Sequence, residues 1–104
     1  MPLEIKAQEE RIISKETSKM NNVVFSMLAP SAKEVYLVGD FNNWEKNENS
    51  RLKNLNGIWT KDLNLNKGTF KYRFVVDGDW IADPDNPLQE KNPYGEMDSI
   101  VKVK

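Results

Sequence analysis

The amino-acid sequence predicts an all-β fold, an antiparallel β-sandwich. From residue 23 onward, short runs of β-branched and aromatic residues alternate with turn residues. Gly57, Gly68 and Gly78 each follow Asn, Lys or Asp in a pair typical of a turn. Short strands separated regularly by such turns are typical of two packed antiparallel sheets.

The length and composition limit the function. The chain has 104 residues, which is the length of one domain and enough to bury a core without disulfides. It contains no cysteine and no histidine. Disulfides, thiolate metal sites and the commonest general base are therefore excluded. This composition weighs against most enzymes, and we expect no cofactor.

The charge pattern narrows the range of partners. The 15 basic and 16 acidic residues are interspersed and give a formal net charge of -1. Because no basic patch stands out, nucleic acid is not an expected partner. The first 13 residues have no apolar stretch of signal-peptide or membrane-spanning length. We therefore expect a cytoplasmic protein with no membrane partner and a neutral, soluble ligand.

The predicted elements follow in order along the chain. Residues 1–20 have sparse apolar positions, compatible with an N-terminal extension that is helical, an added strand or disordered. Residues 21–104 form the predicted sandwich, and residues 41–56 are a polar, Asn-rich surface loop that carries Trp44. The expected strands are VVFSML (23–28), EVYLVGDF (34–41), IWTKDLNL (58–65), TFKYRFVV (69–76) and SIVKV (99–103).

The stretch KYRFVVDGDW, residues 71–80, sets the register of one hairpin. Asp77 and Gly78 favour a two-residue type I′ turn, in which both central residues need positive φ, so that Val75 pairs with Trp80. Alternation assigns one set to the core: Phe70, Tyr72, Phe74, Val76 and Ile81. It assigns the other set to water: Lys71, Arg73, Val75 and Trp80. An exposed indole beside a guanidinium suits a flat, hydroxylated ligand better than it suits folding.

The same alternation places other large side chains. In the second run, Val35, Leu37 and Phe41 are the better core candidates. Trp59 shares a strand face with Leu63, so we expect it in the core rather than in a binding site.

Several motifs in a fixed order resemble one protein family: VYLVGDFNNW, GIW, KGTFKYRFVVDGDWIADPDNP and YGEMDSIVKV. Over residues 22–104 the chain resembles the family 48 carbohydrate-binding modules. These include the glycogen-binding domain of AMP-activated protein kinase beta subunits and the isoamylase N-terminal domains of branching and debranching enzymes. The resemblance implies an immunoglobulin-like, early-set sandwich that binds α-1,4-glucans such as glycogen, starch or maltodextrins without catalysis. It also implies a glycogen-metabolising enzyme or a kinase as a partner in trans.

The resemblance implies which side chains contact the ligand. The family's two sugar-stacking tryptophans match Trp44 and Trp80, and its basic sugar contact matches Arg73. A glucose ring presents apolar C–H faces and a rim of hydroxyls, so its site needs flat apolar surfaces and a few fixed hydrogen-bonding groups. These three side chains supply both.

A late loop of the family's site matches residues 94–98, which adds Tyr94 and Asp98 to the expected ligand contacts. The chain departs from the family in this loop. Glu96 and Asp98 stand where the kinase subunit has Thr and Asn, and an ionised Asp accepts hydrogen bonds but donates none. Tyr94 replaces a smaller apolar residue and adds a third aromatic surface.

Two other chemistries are disfavoured. The acidic residues around the hairpin, among them Asp77 and Asp83, lack the spacing of a calcium loop, so we expect no metal site. Hydrolysis of a glycosidic bond needs two carboxyl groups about 5 to 10 Å apart in a cleft, which a small sandwich rarely provides. One alternative function stays open: a protein-interaction or regulatory β-sandwich that has kept the fold but not the glucan binding.

Overall fold

A computed structural model of the chain describes residues 20–104, so the predicted N-terminal extension lies outside the described residues apart from Met20. The strands are β1 (Met20–Leu28), β2 (Val35–Gly39), β3 (Lys53–Leu55), β4 (Ile58–Asn66), β5 (Gly68–Val76), β6 (Asp79–Ile81), β7 (Gln89–Lys91) and β8 (Met97–Val103). Within residues 20–104, no helix has the length and apolar character needed to cross a membrane.

The strands form two sheets packed face to face. One sheet has three strands in the order β1-β4-β3. The other has five strands, with the order β2-β5-β8-β7 and with β6 paired to β5. All of these strand pairs are antiparallel. The predicted all-β, immunoglobulin-like antiparallel sandwich is confirmed.

The hairpin between β5 and β6 has the predicted register. Asp77 and Gly78 have φ values of 48° and 92°, as a type I′ turn requires, and Val75 lies opposite Trp80. The Asp77 carboxylate also accepts hydrogen bonds from two consecutive backbone N–H groups just before β2, both at 2.9 Å. The turn is therefore held by a distant part of the chain as well as by its own residues.

The main core lies between the two sheets. Val35 and Leu37 on β2 and Phe74 on β5 are fully buried there, and Phe41 packs against the cluster, as predicted. Trp59 on β4 is buried on the same side, and its indole N–H donates to a backbone carbonyl oxygen at 3.0 Å. The assignment of Trp59 to the core is confirmed.

A hydrogen-bonded cluster in the core anchors the segment after β6. The buried Tyr72 hydroxyl donates to the Asp83 carboxylate at 2.7 Å and accepts from the Asn86 amide at 3.0 Å. The backbone N–H of Asp83 donates to the hydroxyl of buried Ser99 at 2.7 Å. Burial raises the pKa of the Tyr72 hydroxyl well above its usual value, and the Asp83 carboxylate adds to this increase. Tyr72 thus stays neutral and acts as a hydrogen-bond donor.

One expectation about the outer face of the five-stranded sheet is wrong. Arg73 and Val75 point to that face as predicted, but they are only 9% and 1% exposed rather than facing water. Val75 forms a second apolar cluster with Tyr36 and Val38, and Trp44 packs over it. The alternation of side chains along a strand predicts which face of the sheet a residue is on. It does not predict that Trp44, from a distant loop, packs over that face and buries it.

The predicted surface loop, residues 41–56, contains more order than expected. It holds most of one 3₁₀ turn (Asp40–Asn42), a second 3₁₀ turn (Glu48–Ser50) and strand β3. Strand β7 is also absent from the strands predicted by the sequence pattern. Both missed strands have three residues, which is too few to show a period of two.

Candidate functional site

A groove of about 640 Å³ lies on the outer face of the five-stranded sheet. Strands β5 and β6 form its floor, the 3₁₀ turn after β2 borders it on one side, and the loop between β7 and β8 borders it on the other. The structure brings together all five residues that the sequence predicts for the site: Trp44, Arg73, Trp80, Tyr94 and Asp98.

Trp80 lies on the groove floor because of the hairpin register. It pairs with the buried Val75, so the two side chains are neighbours on the outer face, and 41% of Trp80 stays exposed. The Arg73 guanidinium lies 5.9 Å from the centre of the Trp80 ring, within the range of a cation–π contact. Arg73 also donates to the backbone carbonyl oxygen of Trp80 at 3.0 Å. These contacts hold the indole while part of the residue remains accessible.

Trp44 is held in an uncommon backbone conformation. Its φ is 59° and that of Asn43 is 57°, and a bulky residue at positive φ is rare because Cβ crowds the backbone. Its backbone N–H donates to the Gly39 carbonyl oxygen at 3.0 Å, and its indole N–H donates to Asp40 at 3.2 Å. Strain of this kind persists where surrounding contacts enforce it, and it clusters at functional sites.

Asp40 is a site residue that the sequence analysis missed. One of its carboxylate oxygens accepts from the Trp44 indole, and the other accepts from the backbone N–H of Lys71 at 2.8 Å. Asp40 thereby ties the turn that carries Trp44 to strand β5. The available signal was a polar residue between a buried strand and the Phe-Asn-Asn-Trp turn, a position that favours side-chain to backbone hydrogen bonds.

Tyr94 projects from the loop between β7 and β8, and it is 90% exposed. Asn92, which the sequence analysis also missed, organises this loop. Its side-chain oxygen accepts from the backbone N–H groups of Tyr94 and Glu96 at 2.9 and 3.0 Å. Gly95 has a φ of 88°, a conformation that favours glycine. The loop backbone is therefore fixed, although the Tyr94 ring itself is open to solvent.

Arg73 and Asp98 lie at the base of this loop, under its side chains. One terminal nitrogen of Arg73 lies 2.8 Å from the Glu96 carboxylate, and Nε lies 3.8 Å from Asp98. Within residues 20–104, Nε of Arg73 has no hydrogen-bond partner. The Asp98 side chain is almost completely buried and accepts from the Asn92 amide at 3.2 Å. Two carboxylates therefore surround one guanidinium.

Two of the acidic residues around the hairpin have structural partners. Asp77 binds backbone N–H groups near β2, and Asp83 binds the Tyr72 hydroxyl. In the part of the chain that the structure describes, no group of three or more acidic side chains is placed to hold a metal ion.

The groove has the chemistry of a sugar site. Three aromatic rings line it, and carboxylate, guanidinium and amide groups lie between them. In sugar sites generally, aromatic faces contact the C–H faces of a pyranose, and polar groups hydrogen-bond with its hydroxyls. A second cavity, of about 380 Å³, lies at one side of the sandwich near Asn42 and Lys61, and none of the predicted site residues lines it.

The fold and the groove together define a carbohydrate-binding β-sandwich module. A family profile described as "Glycogen recognition site of AMP-activated protein kinase" matches residues 21–104. The chain belongs to this glycogen-recognition family, as its resemblance to family 48 modules predicts.

Curated relatives agree with this assignment. The chain is 40% identical over 72 residues to the 5'-AMP-activated protein kinase subunit beta-1 of Rattus norvegicus, a match covering 69% of this chain and 25% of that subunit. It is 31% identical over 80 residues to a 1,4-alpha-glucan branching enzyme of Clostridium perfringens, covering 75% of this chain and 11% of the enzyme. The match therefore spans a quarter or less of either relative.

Solved structures share the fold. A maltogenic amylase from S. marinus superposes with a TM-score of 0.68 at 26% identity, over 80% of this chain and 13% of the amylase. An enterobactin esterase from Shigella flexneri superposes with a TM-score of 0.69 at 18% identity, over 81% of this chain and 30% of the esterase. The esterase shows only that the fold is shared.

Proposed function

We propose that the chain is a non-catalytic module that binds α-1,4-glucans in the groove on the outer face of the five-stranded sheet. In this proposal Trp44 and Trp80 stack on glucose rings, and Tyr94 closes the open side. Arg73 and Asp98 serve mainly to hold the groove in shape, because both are buried beneath it. The glycogen-recognition family and the α-glucan branching-enzyme relative support this class of ligand.

The observation that carries the proposal is the construction of the two indole surfaces. Trp80 is held by Arg73, which lies over its ring and donates to its backbone carbonyl oxygen. Trp44 is held at positive φ by contacts with Gly39 and Asp40. Each is thus fixed before a ligand arrives, so less conformational entropy is lost on binding.

The expected affinity is modest. If each indole loses about 100 Å² of apolar surface to a sugar, the two rings contribute roughly 5 kcal/mol. Association itself costs roughly 4 kcal/mol or more, which offsets most of this contribution. Hydrogen bonds to the sugar hydroxyls must therefore supply most of the net binding free energy. An affinity of about micromolar to millimolar follows for a short oligosaccharide, and many sites on one polymer increase the avidity. Such a module localises an enzyme or a kinase, attached or in trans, to glycogen-like polymer.

The carboxylates of the groove do not favour hydrolysis. A glycosidase places one carboxyl group on each side of the scissile bond. Here Glu96 and Asp98 both lie against Arg73, and Asp40 is occupied by the Trp44 indole and a backbone N–H. This arrangement supports recognition rather than acid–base chemistry.

Tryptophan fluorescence titrated with maltoheptaose tests the proposal, with cellohexaose as the control ligand. We expect a saturable change with maltoheptaose alone in the wild type, and its loss in Trp80→Ala. Trp59→Phe serves as a matched control, because Trp59 is buried away from the groove and its replacement should leave the maltoheptaose affinity nearly unchanged. An equal response to both sugars, or full binding by Trp80→Ala, would refute the proposal.

Protein interaction is a second candidate function, and the three-stranded sheet favours it. Leu28, Ile58 and Leu55 pair across β1, β4 and β3, and all three are exposed on that sheet. A contiguous exposed apolar patch is typical of a protein contact. The test is stoichiometric association with a glycogen-metabolising enzyme or kinase. Association that is lost in Ile58→Ser but kept in Trp80→Ala would support this function.

A further inference from the structure

We infer that Glu96 makes the groove selective for neutral glucans over phosphorylated ones. This inference rests on the proposed function, because it concerns the same groove. It assigns to Glu96 a role in specificity that the sequence analysis did not assign.

Arg73 has the chemistry of a phosphate ligand, but its charge is already neutralised. A guanidinium binds phosphate through two parallel hydrogen bonds. In this chain one terminal nitrogen of Arg73 lies 2.8 Å from Glu96, and another donates to the Trp80 carbonyl oxygen at 3.0 Å. The remaining nitrogen, Nε, faces Asp98 at 3.8 Å. A phosphate ester brought to Arg73 therefore meets carboxylates first.

The second cation of the groove is neutralised in the same way. The Lys71 ammonium lies 3.3 Å from the Glu90 carboxylate. Among the charged side chains that line the groove, two are cationic and three are anionic. This balance suits a neutral ligand and opposes an anionic one.

Of the two carboxylates beside Arg73, Glu96 is the better placed to act on a ligand. Its side chain is 60% exposed at the groove edge, whereas the Asp98 side chain is 7% exposed beneath the loop. A bound sugar that carries phosphate would approach Glu96 before Asp98. The negative charges of the phosphate and of the Glu96 carboxylate repel each other when they are a few ångströms apart. Near a protein surface this repulsion is large enough to weaken the affinity for the phosphorylated sugar several-fold.

The test compares two ligands that differ by one group: maltoheptaose, and maltoheptaose with a phosphate ester on a C6 hydroxyl. The measured quantity is the ratio of their dissociation constants for the wild type, for Glu96→Gln and for Glu48→Gln. Glu96→Gln keeps the shape of the side chain and an oxygen that can accept from Arg73, but it removes the charge. Glu48→Gln is the matched control, because Glu48 is exposed and lies outside the groove.

We expect the wild type to bind the neutral sugar at least about fivefold more tightly than the phosphorylated one at low ionic strength. Glu96→Gln should bring the ratio measurably closer to one, and Glu48→Gln should leave it as in the wild type. Equal or tighter binding of the phosphorylated sugar by the wild type would overturn the inference, as would an unchanged ratio in Glu96→Gln. In both cases the proposed function stands. If the wild type binds neither sugar, the proposed function and the inference both fail.

Discussion

The inner and outer faces of the five-stranded sheet use the same strands but are covered in different ways. On the inner face, Leu37 and Phe74 pack against the three-stranded sheet in one continuous core. On the outer face, Val38 and Val75 are covered by a few side chains, chiefly Trp44. Regular structure therefore closes the inner face, whereas side chains from loops close the outer face and leave a groove.

Because of this difference, we expect residues of the inner face to determine the stability of the fold and residues of the outer face to determine ligand binding. A change on the inner face removes contacts on which the whole sandwich depends, whereas a change on the outer face removes contacts of the groove. Substitutions at four positions, Phe74, Tyr72, Trp44 and Tyr94, should therefore lower the free energy of unfolding by successively smaller amounts.

Phe74→Ala should have the largest effect, because Phe74 is fully buried between the sheets. We expect the free energy of unfolding to fall by about 3 to 5 kcal/mol, as for other phenylalanine truncations in cores. Chemical denaturation followed by circular dichroism measures it. A decrease below about 1 kcal/mol would show that the inner face is not the main core.

Tyr72→Phe should lower the free energy of unfolding by about 1 to 3 kcal/mol, because Asp83 loses the donor of a buried hydrogen bond. The wild type also has a pH dependence that this variant lacks. The pKa of Tyr72 is raised in the folded protein, so its contribution is complete below about pH 10, where the unfolded tyrosine is still protonated. As the pH rises further, the unfolded chain loses this proton and the contribution is lost.

Melting temperatures measured from pH 8 to pH 11 for the two proteins provide the check. The advantage of the wild type over Tyr72→Phe should be constant below about pH 10 and should shrink above it. Because the other two tyrosines are present in both proteins, their ionisation cancels in the comparison. An advantage that grows with pH would contradict the hydrogen-bond assignment.

Trp44→Ala should have an intermediate effect on stability, since this side chain covers the apolar cluster of the outer face. Exposing about 60 Å² of apolar surface would lower the free energy of unfolding by about 1.5 kcal/mol. Trp44→Gly should be more stable than Trp44→Ala, because glycine adopts the φ of 59° without strain. The denaturant midpoints of Trp44→Gly and Trp44→Ala measure which variant is more stable. A higher midpoint for Trp44→Ala would argue against backbone strain at this position.

Tyr94→Ala should have the smallest effect on stability, within about 0.5 kcal/mol, because Tyr94 is 90% exposed. Its effect on maltoheptaose affinity should be several-fold if the ring closes the groove. Measuring the free energy of unfolding and the maltoheptaose affinity of this one variant tests most directly whether the outer face serves binding rather than stability. A large loss of stability would place Tyr94 in the fold rather than in the site.

The sequence predicts the strand pairing of this molecule better than it predicts which side chains bury the outer face of the five-stranded sheet. The type I′ turn at Asp77 and Gly78 is a local property, and it correctly gives the pairing of Val75 with Trp80. The burial of Val75 depends on Trp44, which lies 31 positions earlier in the chain. No local pattern contains that contact.

The same limit applies to the site. Its aromatic residues stand out because of their size and their place in family motifs, so Trp44, Trp80 and Tyr94 are all among the ligand contacts that the sequence predicts. The polar residues that hold the groove were missed, because Asp40 and Asn92 act through backbone groups whose positions only the fold defines. Their residue types are common in any loop.

The hydrogen bond between the Asn21 side chain and the Lys104 carbonyl oxygen, at 2.8 Å, brings the beginning of the first described strand next to the end of the last one. Gly68, which pairs with Val103 near this end, lies three positions along β5 from Lys71, the first groove residue of that strand, a distance of about 10 Å at the usual rise of a strand. None of the residues that line the groove belongs to the neighbouring ends 20–21 and 103–104. A short linker between residues 104 and 20 could therefore close the described part of the chain for circular permutation, and the sandwich could be inserted through this end into a loop of a host protein without using groove residues.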